Sequence, residues 1–218
     1  VVAEGRRVVN NIQQSASLFL VKNIFSFLLS LVSIIFVFTY PLGPSQISLI
    51  SMFTIGIPGF FLSLQPNKNV IKGRFLQNVL LKALPAGLTD VLVVAVLAIF
   101  SRTFGVGGED LSTAATMLLA IVGFMILFKI CKPLNSLRLA ICIGCIVGFL
   151  ASCILFPGLF GISSMSTKCV MLFVVFSIAT EPILRYLTKF NEFIQRLYGD
   201  REQYKKKLKS VKDVLQRE

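Results

Sequence analysis

The stretch VVAEGRRVVNNIQQSASLFLVKNIFSFLLSLVSIIFVF, residues 1–38, is one helical pattern that begins polar and charged and finishes as hydrocarbon. At about 1.5 Å per residue it would run roughly 57 Å as a helix, whereas a bilayer core is only about 30 Å thick. The pattern therefore predicts a stalk over residues 1–17 that becomes a membrane span over residues 18–38. The stalk carries Glu4, Arg6, Arg7, Asn10, Asn11, Gln13 and Gln14, and the span runs from Leu18 through Phe25, Leu29 and Val32 to Phe38. Lys22 and Asn23 interrupt it. An ammonium and an amide about one turn inside a spanning helix are costly unless a partner or water meets them, which makes these two the first functional candidates.

Hydrophobic residues fill 55% of the 218 positions and the mean hydropathy is +0.81, so the chain is expected to be an integral membrane protein. The first span lacks a basic leader and a small-residue cleavage site and is not expected to be a removable signal. The start on Val1, without methionine, reads as a cut from something larger. The net charge of +12 raises nucleic acid or anionic lipid as partners. Ten of the 22 basic residues lie from Arg185 onward and the rest flank helix ends, the distribution that cytoplasmic retention of Lys and Arg produces. Anionic lipid at the basic tail is the expected partner, and no nucleic acid is expected.

Cys131, Cys142, Cys145, Cys153 and Cys169 are odd in number and fall mostly inside expected spans, which argues against a disulfide scaffold. Cys142 and Cys145 have the C-x-x-C spacing of a soft-metal or redox pair. Gly144 and Gly148 stand beside them, and small residues let membrane helices approach closely, so packing is the favoured reading. The absence of histidine excludes a mixed Cys/His zinc site.

Further spans are expected at about 47–64, 79–104, 114–130, 137–156 and 169–187. The second contains TIGIPGFF, where Pro58 removes a backbone hydrogen bond and predicts a broken helix of the kind tolerated at a substrate site. Basic residues cluster in the stalk, at Lys68 to Arg74, at Lys129 to Arg138 and in the tail, while the three alternate loops carry little positive charge. Six spans with both termini cytoplasmic follow from that alternation. Residues 191–218 form a basic tail that places Tyr204, Leu208, Val211 and Leu215 opposite Lys205, Lys206, Lys207, Lys209 and Lys212 at helical spacing, an amphipathic helix suited to anionic lipid or a partner domain. The fold class is all-α, a polytopic membrane protein of six spans with a long N-terminal stalk helix and a C-terminal amphipathic helix. Asp90 is the one carboxylate deep in a span; Lys82, about two turns away, is too far for an in-helix pair, so a partner on another helix is needed. Glu181 is expected to pair with Arg185, one turn on.

Three motifs resemble the P-type cation-transporting ATPases. VVAEGRRVVNNIQQSASLFLVKN is similar to the junction where their phosphorylation domain returns to the membrane through the long fifth helix. FTIGIPGFFLSLQPN resembles their sixth helix, with its unwound turn before a proline, and CKPLNSL the inner end of their eighth. The best fit is to the bacterial branch often labelled cation-transporting ATPase E, with this chain covering helices five to ten.

The resemblance implies a membrane-support domain holding half of a transport site. D-K-T-G-T, T-G-D and G-D-G-x-N-D motifs are absent, so this chain alone is expected to be inactive, with ATP and magnesium as cofactors of the intact pump only. Its implied partners are the phosphorylation, nucleotide and actuator domains, the first four membrane helices and the transported cation, in a bacterial plasma membrane. By the resemblance, Asn23 falls on an ion-coordinating asparagine, and Thr54, Gly56 and Pro58 match the sixth-helix motif; Asn23 and Thr54 are the implied metal ligands. Ser26, Ile55 and Lys129 stand where calcium pumps carry acidic ligands, so the two-ion calcium site cannot be assembled. Calcium is the first substrate named, then magnesium or manganese. Lys22 is either an internal counter-charge or a snorkelling lysine. The flippase branch carries a similar Lys-Asn pair, which keeps a lipid or polyamine substrate as an alternative, with a stand-alone channel or scaffold as a second.

Overall fold

A computed structural model of the chain describes residues 2–64, 75–132 and 134–215, with side-chain surroundings for 8–9, 11–13, 15–64, 79–132 and 134–196. Lys68, Lys72, Arg74, Pro133 and the tail's side chains from 197 to 218 lie outside those residues. Among the described residues the elements are helical: α1 (Val2–Ile35), α2 (Pro44–Ser51), a π-helical turn (Met52–Gly56), α3 (Ile57–Ser63), α4 (Phe75–Phe104), α5 (Gly108–Ile130), α6 (Ser136–Leu155), α7 (Pro157–Phe160) and α8 (Thr167–Leu215). Six segments are long and apolar enough to cross a bilayer: Asn11–Ile35, Pro44–Ser63, Val79–Phe104, Gly108–Ile130, Ser136–Leu155 and Thr167–Arg196. The protein is an all-α, polytopic integral membrane protein, as its hydropathy pattern implies.

Boundaries differ from the sequence reading where polar groups find partners. The lower stalk is not free-standing: Asn11, Gln13 and Ser17 are buried, and Asn11 Nδ2 donates to Ser63 O at 2.8 Å, joining α1 to the end of α3. The first span stops at Ile35 rather than Phe38 because Val37 adopts φ 51°. Phe38 N–H then reaches back to Ser33 O at 3.1 Å and its ring is buried, a Schellman-type stop. α5 starts at Gly108, ahead of the span start expected at about 114, and holds Glu109 and Asp110 in its first turn, where carboxylates offset the positive end of the helix dipole. The last span and the tail share one 49-residue helix, α8.

α4 is the central helix, with about two thirds of its spanning stretch buried against far less of α6 and α8, whose outer faces are apolar and exposed. Towards one end Phe25, Leu29, Val94, Leu97, Leu118 and Cys169 interlock, and towards the other Leu18, Val21, Ala83, Ala86, Ile126 and Leu184. α1 lies close against α4 at Gly87, where an added Cβ would fall 2.7 Å from Ile24 Cγ2. Pro85 sits inside α4 and cannot donate to the carbonyl four residues before it. That carbonyl, Leu81 O, is met from α8 by Asn191 Nδ2 at 2.6 Å. A defect in one helix thereby pins another to it. Cys142 packs on Cys131 with sulfurs 3.4 Å apart, in a cluster with Cys145, Leu62 and Leu127.

Candidate functional site

The second span is widened rather than broken. Its backbone stays in right-handed helical geometry through Ser51, Gly56 and Ile57, but Ile57 N–H reaches back five residues to Met52 O. Phe53 O thus loses the donor that an α-helix would bring, and Thr54 O faces Pro58, which has no N–H. A π turn of this kind is the local solution to the proline, and such turns recur at functional sites. It is held in place by close packing: an added Cβ at Gly123 on α5 would fall 2.7 Å from Thr54 Cγ2, so only glycine admits the turn at that distance.

Against the π turn lies a cavity of about 50 Å³ between α1, α2, α4 and α5, to which Lys22, Ser51, Thr54, Ile55, Asp90 and Gly123 all contribute. Its polar groups are oxygens and one ammonium. Thr54 Oγ donates to Ile50 O at 2.8 Å and Ser51 Oγ to Ile47 O at 2.6 Å, so each hydroxyl spends its proton on its own helix and keeps acceptor lone pairs. Asp90 is only 5% exposed, and its Oδ1 has no hydrogen-bond partner. No ion pair joins it to Lys22 or Lys82 among the described residues. A buried carboxyl oxygen without a partner is expensive, and Asp90 holds one beside an internal space.

The structure brings Lys22, Thr54, Ile55 and Asp90 around one space and leaves the other candidates elsewhere. Asn23 is exposed on the face of α1 turned away from the cavity, Gly56 is exposed and Pro58 is buried in α3. Ser26 accepts Ser30 Oγ through its carbonyl. Lys129 lies at the end of α5 in a separate cleft with Lys82. Ser51, Gly123 and Asn191 escaped the sequence reading. Pro85 and its distance from the last span gave no sign of the Asn191 contact, although an intramembrane proline always leaves a carbonyl to be satisfied.

Fold and site together define a polytopic membrane protein with a small, mainly apolar chamber beside a π-widened span, edged by Lys22, Ser51, Thr54 and Asp90. Its relatives are cation-transporting ATPases. The chain is 34% identical over 175 residues to the probable cation-transporting ATPase exp7 of Streptococcus pneumoniae, covering 77% of this chain and 22% of that protein. It is 35% identical over 155 residues to the calcium-transporting ATPase CtpE of Mycobacterium tuberculosis, covering 65% and 19%. CtpE of Mycolicibacterium smegmatis is 37% identical over 147 residues, covering 61% and 19%. No family model matches. The resemblance to P-type cation-transporting ATPases is thereby shown, and the chain spans about a fifth of the length of the relatives it matches.

Proposed function

We propose that the chain is the membrane-support part of an ATP-driven P-type cation pump and contributes to its ion path the chamber beside the π turn. The observation that carries the reading is Asp90, a buried carboxylate with an unpartnered oxygen in the same space as Ser51 and Thr54. A small-molecule pocket takes roughly 300–1,000 Å³. The chamber, at about 50 Å³, suits a largely dehydrated cation and not a lipid headgroup or a polyamine.

The cation is substrate here. Calcium takes about 6–8 oxygens and magnesium about six in tighter geometry. This chain offers the Asp90 carboxylate, the hydroxyls of Ser51 and Thr54 and the Thr54 carbonyl, and helices beyond these 218 residues are proposed to complete the shell. Calcium is the cation proposed first, with magnesium or manganese next; that the CtpE relatives are named calcium-transporting supports this order. Lys22 lines the same chamber without an ion pair to Asp90, and a swing of its side chain onto the carboxylate is the proposed counter-charge once a cation leaves. α1 is the lever: its polar half carries the movement of domains outside this sequence into the contact of α1 with the π turn, alternating access to the chamber. ATP and magnesium belong to those domains. By charge distribution both termini face the cytoplasm of a bacterial cell.

The test is ATP hydrolysis by the purified full-length protein in lipid against calcium, magnesium, manganese, potassium, spermidine and phospholipids, with Asp90→Asn and Thr54→Ala alongside. Stimulation by one divalent cation, with the half-stimulating concentration raised at least about tenfold in Asp90→Asn, is the expected result; a one-charge loss of this kind costs about 1.4 kcal/mol per tenfold. An unchanged cation response in Asp90→Asn sinks the site assignment.

A further inference from the structure

A second cleft, about 500 Å³, opens between α1, α4, α5 and α8 at the end of the bundle that carries the polar half of α1 and the basic extension of α8. Three lysines line it, Lys82 from α4, Lys129 from the last turn of α5 and Lys132 from the loop beyond it. Glu192 is the one carboxylate among its lining residues, so the walls carry a net charge of +2 (three lysines less one glutamate). Lys129 Nζ donates to Thr188 Oγ at 3.4 Å, and Asn191, held on Leu81 O, closes the side towards α8. Deeper in, the lining turns apolar through Val21, Ile126 and Leu184.

We propose that this cleft holds the phosphate headgroup of an anionic phospholipid from the adjoining leaflet. Depth argues for it first. Lys82 and Lys129 stand towards the ends of the candidate spans Val79–Phe104 and Gly108–Ile130, and Lys132 follows the second, positions from which lysines reach for the headgroup region. Charge argues for it next, because clustered ammoniums without matching carboxylates repel one another until an anion meets them, and basic pockets between spans on this side of a bilayer bind lipid head groups. The gradation from lysine rim to apolar floor fits an amphiphile and gives a soluble anion nothing to hold below its phosphate. The volume lies within the range of specific ligand sites. The lipid would brace α4, α5 and α8 across the same face that Asn191 pins, and this reading is independent of the ion chamber.

The test is native mass spectrometry of the purified full-length protein titrated in detergent with phosphatidylglycerol or phosphatidylcholine, with and without 10 mM-scale inorganic phosphate as competitor. One phosphatidylglycerol should remain bound where phosphatidylcholine does not. At about fivefold per lysine near an anionic headgroup, Lys82→Gln/Lys129→Gln/Lys132→Gln should weaken it roughly a hundredfold. The charge-retaining Lys→Arg triple should keep it, which separates loss of charge from loss of fold, and Lys205→Gln/Lys206→Gln/Lys207→Gln in the tail should leave it unchanged. Equal retention of both lipids, an unaltered affinity in the Lys→Gln triple, loss with the tail variant instead, or displacement by inorganic phosphate would each overturn the proposal.

Discussion

Gly123→Ala and Gly144→Ala make the same chemical change in neighbouring helices, and the structure requires opposite outcomes. A Cβ at Gly123 falls 2.7 Å from Thr54 Cγ2 and 3.0 Å from Thr54 Cβ. Ordinary carbon contacts lie at about 3.5–4.0 Å, so α5 and the π turn must part by roughly 1 Å. Overpacking of this kind costs about 1–3 kcal/mol, from which the gain of replacing a helical glycine, about 0.5–1 kcal/mol, is subtracted. At Gly144 an added Cβ meets nothing within 4 Å, so only the gain remains. Gly144→Ala should therefore stabilise by about 0.5–1 kcal/mol, and the two variants should differ by the whole overpacking cost, about 1–3 kcal/mol. The measurement is reversible unfolding of the full-length protein in mixed detergent micelles. Thr54→Ser removes the clashing methyl while keeping a hydroxyl to donate to Ile50, so in a double-mutant cycle it should recover about 1 kcal/mol from Gly123→Ala and nothing from Gly144→Ala. Equal effects at the two glycines, or additivity with Thr54→Ser, would refute the close approach on which the chamber geometry rests.

Asn191→Leu should cost about 0.6–1.7 kcal/mol, the range of hydrogen bonds between membrane helices. In a Pro85→Ala background, where the backbone regains its donor to Leu81 O, the same change should cost much less; an additive cycle in the unfolding assay would show that Asn191 does not serve the proline defect. Glu181→Gln should move stability by less than about 0.5 kcal/mol, because Glu181 and Arg185 pair in the open, both more than half exposed, and such pairs contribute little. A loss above about 1 kcal/mol would place that pair in a buried contact that the structure does not contain.

Much of the fold was legible in the order of residues. A bilayer forces every backbone group to be satisfied within its own segment, so runs of apolar residues longer than a span could only be helices. TIGIPGFF announced its irregular turn for the same local reason: a proline without an N–H disturbs its own helix whatever packs around it. Lys22 and Asp90 stood out because charge inside a span is costly wherever it points.

Direction was what the sequence could not supply. A helix repeats every 3.6 residues, so Lys22 and Asn23, adjacent in sequence, face about 100° apart, and only packing against α4 and the π turn sends Lys22 to the chamber and leaves Asn23 outside. Ser51 and Gly123 matter through which helix lies opposite them, and Asn191 through a carbonyl 110 residues away. Lys129 was read from its alignment to a ligand position, yet the end of α5 sets it beside Lys82 in a different cleft. Composition, length and prolines are local quantities, so the chain alone determined a six-span helical membrane protein with one disturbed span. Which side chains share a space is decided by the rotation and approach of whole helices, a sum over many weak contacts that becomes visible only once the bundle is assembled.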